Sequence, residues 1–193
     1  MKKYELTTNT KMVLGRKLFQ IRALISFGDV EYGELGGWIE KEEILSQSGN
    51  AWVYGNARVY GNALVYGNAR VYGNARVYGN ALVYGDARVY GDALVYGNAR
   101  VYGDALVSGD ARVYGNNDYI TIGPIGSRSA TTTFYRRRDG VTMVVCGCFH
   151  GTINEFERRV NDVHADNKHG QAYRAAIALA RIQMNSEPVE EGK

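Results

Sequence analysis

The chain has 193 residues with 24 Gly, 2 Pro, 2 Cys and 15 Tyr against 5 Phe, and 23 basic residues nearly balance 20 acidic ones for a net charge of +3. So small an excess argues against a general polyanion binder, and DNA is not the expected partner. Two Cys exclude a disulfide scaffold, and the lack of an apolar N-terminal run excludes a signal peptide or spanning helix, so a cytoplasmic protein without a membrane partner is expected.

In chain order, residues 1–50 read as a β cap, with a strand across 18–24. Ten of the tyrosines then fall between 54 and 114 on one period. From Val53 onward V-Y-G-N-A-R/L recurs every six residues, through eleven units that end at Asp118, and a strict period fixes the architecture before any other feature. Six residues suit a short strand plus a corner. Within A-R/L-V-Y, alternation places Ala and Val inside and Arg or Leu and Tyr outside, while Gly with Asn or Asp makes the corner. The segment 51–118 is therefore a β-helix. Beyond it, 119–186 reads as a small α+β domain: strands at 131–137 and 141–148 turned at Asp139-Gly140, a helix opened by a Thr152/Glu155 capping box and running to about His164, and a second helix over 171–184 with Tyr173, Ile177 and Ala180 on one stripe. Residues 187–193 read as a frayed acidic tail.

The V-x-G-N-A-x units resemble the hexapeptide repeats of left-handed parallel β-helix proteins, which complete a triangular coil every three units. The handedness is implied by that resemblance, since general chain physics prefers right-handed crossovers. L-F-Q-I-R-A-L at 18–24, G-E-L-G-G-W-I-E at 33–40 and L-S-Q-S-G-N-A-W at 45–52 look like the leading segment of a hexapeptide-repeat group common in phages and prophages. G-P-I-G-S-R at 123–128, T-T-T-F-Y-R at 131–136 and C-G-C-F-H-G-T at 146–152 resemble the end domain of the same group. The fold expected is mostly β: a left-handed β-helix with an N-terminal β cap and a small C-terminal α+β domain.

Hexapeptide-repeat proteins are best known as acyltransferases, whose resemblance implies a catalytic His on or beside the coil and a loop interrupting the repeats. Here His150, His164 and His169 all lie downstream and the coil is uninterrupted, so no catalytic residue is assigned. Asp86, Asp92, Asp104 and Asp110 stack three units apart in the turn slots that Asn fills elsewhere, which favours turn chemistry over a calcium site. Cys146, Cys148 and His150 alternate as if on one strand face, offering three ligands to zinc, but a structural site wants four. No metal or cofactor is expected.

The strongest binding candidate runs from Gly123 to Arg138. Gly126, Ser127, Arg128, Ser129, Thr132, Tyr135, Arg136 and Arg138 combine an approachable backbone, hydroxyl donors, a stacking ring and guanidinium groups, which is the chemistry that grips a phosphate. On the coil, sorting the units by three puts Leu64, Leu82 and Arg100 on the most apolar face, together with Tyr60, Tyr78 and Tyr96, and such a stripe marks an interface. The expected function is a non-enzymatic, phage-type binding protein. Its β-helix forms a homo-oligomer, a trimer, and its C-terminal domain holds a small anionic ligand such as a nucleotide immune signal of the host. A structural or protein-interaction module and an acyltransferase are the alternatives.

Overall fold

The computed structural model describes residues 2–184, so the expected tail at 187–193 lies outside the described residues. The chain divides into two compact units, Met1–Gly115 and Asn116–Lys193. Among the described residues no helix is long and apolar enough to cross a membrane.

The first unit is a parallel β-solenoid behind an antiparallel cap. The cap consists of β1 (Tyr4–Val13), β2 (Arg16–Ala23), β3 (Leu35–Ile39) and a 3-10 turn at Glu42–Ile44. Eleven two-residue strands follow, one per hexapeptide, and they stack into three sheets. The first holds β5 (Arg58–Val59), β8 (Arg76–Val77), β11 (Leu94–Val95) and β14 (Arg112–Val113), extended by the cap strands in the order β1-β2-β3-β5. The second holds β4 (Trp52–Val53), β7 (Arg70–Val71), β10 (Arg88–Val89) and β13 (Leu106–Val107); the third holds β6 (Leu64–Val65), β9 (Leu82–Val83) and β12 (Arg100–Val101). Paired residues are three units apart, as in Arg58 with Arg76 and Leu64 with Leu82, so three hexapeptides make one triangular coil.

The interior is what period-2 alternation requires. Each repeat Val from Val53 to Val113 and each Ala from Ala57 to Ala111 is buried, while Arg or Leu faces outward. Successive corner Gly residues adopt positive φ, for example +71° at Gly91, and pack backbone on backbone. Each coil donates its N–H groups to the next, as in Arg58 N to Ala75 O at 2.9 Å, which leaves the carbonyls of the first coil in need of donors. The cap supplies them. Trp38 N reaches Ala57 O at 3.0 Å, Glu40 N reaches Val59 O at 3.2 Å, and the buried ammonium of Lys3 donates to Ala51 O at 2.9 Å.

Outside, the tyrosines form ladders. Tyr66–Tyr84, Tyr72–Tyr90 and Tyr78–Tyr96 stack with ring centroids 4.8, 4.8 and 5.2 Å apart. Their grouping differs from the sequence expectation. Tyr60, Tyr78 and Tyr96 close strands of the first sheet, beside Arg58, Arg76 and Leu94, whereas the sheet of Leu64 and Leu82 ends in Tyr66, Tyr84 and Tyr102. The tyrosine directly follows the repeat Val, so it belongs to that strand and not to the one beyond the corner. Turn chemistry also explains the acidic corners. Asn68 donates to Asp86 Oδ1 and Asn74 to Asp92 Oδ1, both at 3.1 Å, continuing ladders such as Asn62 to Asn80.

The second unit is a four-stranded antiparallel meander, β15 (Tyr119–Ile125), β16 (Ala130–Arg136), β17 (Thr142–Cys146) and β18 (Phe149–Thr152), followed by α1 (Ile153–His164) and α2 (Lys168–Gln183). The capping box is present: Glu155 N donates to Thr152 Oγ1, and Thr152 N donates to the Glu155 carboxylate at 2.6 Å. The second helix starts three residues earlier than its apolar stripe predicts. The Asn167 side chain accepts from His169 N and Gly170 N and acts as its N-cap. Phe134 and Val144 from the sheet meet Phe156, Val160, Tyr173 and Ile177 from the helices in one core.

Candidate functional site

Three chain segments of the second unit converge on a cavity of about 190 Å³. The first is the turn between β15 and β16, where Ser129 N closes onto Gly126 O at 3.3 Å and presents Ser127 and Arg128. The second is the turn between β17 and β18, where Cys146 pairs with Phe149 and only Gly147 and Cys148 lie between. Gly147 takes a φ of +58°, as the first position of so short a hairpin loop demands. The third is the helical pair, from which Phe156, Arg159, His164 and Tyr173 reach the cavity.

Aromatic and aliphatic groups form the floor: Phe149, Phe156, Val160 and the Tyr173 ring. Phe149 and Phe156 lie 5.0 Å apart by centroid, and Phe156 meets Tyr173 edge-on at 5.4 Å. Ser127, Arg128 and Arg159 are exposed at the rim. No carboxylate lines the cavity, and neither Arg128 nor Arg159 forms a salt bridge among the described residues. Two uncompensated guanidinium groups over an apolar floor suit an anionic group attached to a flat apolar body. Deeper in, Thr132 Oγ1 donates to Cys146 Sγ at 3.2 Å, and the Cys146 thiol donates to Tyr173 Oη at 3.7 Å. Burial, and then the contact with Cys146, pushes the Tyr173 hydroxyl up to about 12, so it stays protonated.

The residues singled out from sequence do not all meet here. Ser127 and Arg128 line the cavity, Gly126 packs against Tyr173, and Ser129 completes the turn at a φ of +48°. Thr132 is buried on the helix-facing side, next to Cys146. Tyr135 alternates to the opposite side, where its hydroxyl lies 2.8 Å from His150 Nε2. Arg136 ties the unit together through Asp118 at 3.3 Å, the Gly140 carbonyl at 3.3 Å and the Met184 carbonyl. Arg138 is exposed in the β16–β17 turn, away from the cavity lining. Arg159 is not among the residues singled out from sequence, and His164 stands there only as a histidine downstream of the coil. Arg159 follows Phe156 by three residues on α1, which is the one signal that placed it on the same helix face.

The zinc trio is overturned by the hairpin. Cys146 and His150 sit on different strands and Cys148 lies in the turn, so alternation along one strand does not apply. Among the described residues no three His, Cys, Asp or Glu side chains come together as metal ligands. Two further cavities on the solenoid contain their own counter-charges: Arg16 pairs with Glu40 in one, and Arg70 with Asp29 in the other, at 2.9 and 2.8 Å.

Comparison with known proteins bears on the solenoid. The YdcK beta solenoid repeat family matches at 51–67, 57–77, 69–85, 75–91, 87–103, 93–109 and 99–115. These matches span residues 51–115, about a third of the chain, and the repeats are similar to that family's. A protein of Escherichia coli (strain K12) described as "Uncharacterized acetyltransferase YdcK" is 51% identical over 37 residues, which is 19% of this chain and 11% of that relative's length. The family match thus falls on the coil repeats, and the cavity of the second unit lies outside residues 51–115.

Proposed function

We propose that this is a non-catalytic binding protein whose second unit holds a small anionic ligand of the nucleotide class. The observation that carries it is the pair Arg128 and Arg159, without a lining carboxylate, over the aromatic floor of Phe149, Phe156 and Tyr173. The floor takes a flat base and the rim takes phosphate. Binding without turnover amounts to sequestration, the use to which a phage puts such a protein against a host's nucleotide signal. The solenoid serves as a rigid stalk that trimerises along the sheet of Leu64 and Leu82, where Leu64 is 40% and Tyr102 47% exposed. The test is calorimetric and thermal-shift titration with cyclic mononucleotides, cyclic dinucleotides and ADP-ribose. At least one binds, and Arg128→Ala or Arg159→Ala weakens it ~10-fold or more, the worth of one charge-assisted contact. A screen in which none binds, or binding indifferent to both arginines, overturns it.

An acetyltransferase is the second reading, favoured by the description of the Escherichia coli relative. It requires acetyl-CoA turnover that is lost in a histidine variant. His150→Ala is the variant to measure, and turnover that depends on it would replace the binding role.

A further inference from the structure

Cys146 and Cys148 both open onto the cavity of the second unit, Cys146 at the last paired position before one tight turn and Cys148 within it. Residues two apart in a reverse turn lie within the ~4.4–6.8 Å Cα separation that a disulfide spans. The two sulfurs have different surroundings. Cys146 is half-buried, accepting from Thr132 and donating to Tyr173. Cys148 is exposed, with Arg128 Nη1 3.9 Å from its Sγ. Arg128 lies over the turn itself, its Nη1 3.6 Å from where a Cβ on residue 147 would stand. An attacking thiolate at 148 therefore has a guanidinium counter-charge and open access, and a second thiol waits within the same cavity.

We propose that Cys146 and Cys148 are a dithiol–disulfide pair that exchanges with small anionic disulfides entering this cavity. Cys148, its proton released to solvent, attacks one sulfur of the incoming disulfide. That S–S bond breaks, and the displaced thiolate takes a proton from water. Cys146, its thiol proton released to water, then attacks Cys148 Sγ in the mixed disulfide. The bond from Cys148 to the small molecule breaks, the second small thiolate leaves and takes a proton from water, and the Cys146–Cys148 bond closes. Two electrons pass from the protein to the small disulfide. Arg128 and Arg159 meet the carboxylates of the incoming molecule, so its charge sets the rate. The exchange shares a cavity with the proposed nucleotide site but does not require that nucleotides bind there, and the two are measured separately.

Intact-mass time courses on the full reduced chain test it, with glutathione disulfide as the anionic probe and hydroxyethyl disulfide as the neutral one. The wild type loses two hydrogens with no lasting adduct. Cys146→Ser stops at one glutathione adduct, and Cys148→Ser forms no internal bond. Arg128→Ala with Arg159→Ala slows glutathione disulfide ~10-fold while leaving the neutral probe within ~2-fold, as electrostatic steering predicts. Circular dichroism at 222 nm confirms that each variant keeps α1 and α2, and Cys146→Ala replaces Cys146→Ser if the serine unfolds the unit. A wild-type adduct that never closes, unreactive cysteines in the folded chain, or equal sensitivity of both probes to the arginines overturns the proposal.

Discussion

Gly126 lies so close to Tyr173 that a Cβ built on it would stand 1.8 Å from the Tyr173 hydroxyl oxygen and 2.1 Å from the ring carbon that bears it. Its φ of +75° is itself unfavourable for any side chain. Gly126→Ala is expected to destabilise the second unit by roughly 2–4 kcal/mol, strain and overpacking together. Tyr173→Phe does not rescue it, because the ring carbon clashes as well. Denaturant unfolding followed at 222 nm reads this unit, since both α-helices are in it.

Arg128 and Arg136 are expected to separate cleanly. Arg136→Ala removes donors from the Gly140 and Met184 carbonyls and from Asp118, and costs about 2 kcal/mol of stability with any ligand affinity retained by the folded fraction. Arg128→Ala leaves stability within about 0.5 kcal/mol, as its guanidinium is exposed at the cavity rim. Paired melts and nucleotide titrations of the two variants check both halves.

Thr152→Ala removes the N-cap of α1 and should cost about 1 kcal/mol. The backbone N–H of Thr152, then its hydroxyl, holds the Glu155 carboxyl below its ordinary value. A depressed acid contributes stability above its unfolded pKa and loses it as pH falls, so the difference between wild type and Thr152→Ala shrinks on acidification below ~4. Melts of both proteins across that range measure it.

The first unit should become more stable on raising the pH from about 8 to 10. Burial pushes the Lys3 ammonium down to about 8, while in the unfolded chain it titrates near ~10.4. In that window the unfolded chain binds the extra proton, so unfolding becomes harder as pH rises, by roughly 2–3 kcal/mol. Lys11, lowered by burial and then by Arg58, adds a smaller increment. Above about 10 the sign reverses, because burial raises Tyr4 and takes Tyr54 up to about 12, and the folded state then keeps protons that the unfolded chain loses. Tryptophan fluorescence follows this unit alone, since Trp38 and Trp52 both lie in it, and Lys3→Met should flatten most of the rise.

Leu64→Glu with Leu82→Glu places two carboxylates on the sheet proposed to trimerise. Light scattering should then show a monomer where the wild type shows three times the mass. An unchanged mass places the interface elsewhere.

Local repetition made the solenoid legible. In V-Y-G-N-A-R every structural decision is taken within six residues: Val and Ala turn inward by alternation, Gly takes the positive φ, and Asn or Asp fills the corner. The Thr152 capping box and the stripe of Tyr173, Ile177 and Ala180 were readable for the same reason, because capping and helix periodicity act over three or four residues. The cavity was not readable. It gathers Ser127, Cys148, Arg159 and Tyr173 from four separate elements, and no spacing along the chain encodes which of them meet. A two-residue hairpin sends Tyr135 and His150 to one side of the sheet and leaves Arg128 and the two cysteines at the cavity on the other, and three-dimensional contacts turn Arg136 from a ligand candidate into a brace. Periodicity over a few residues settles elements; the convergence of distant residues, on which the chemistry depends, is settled by packing.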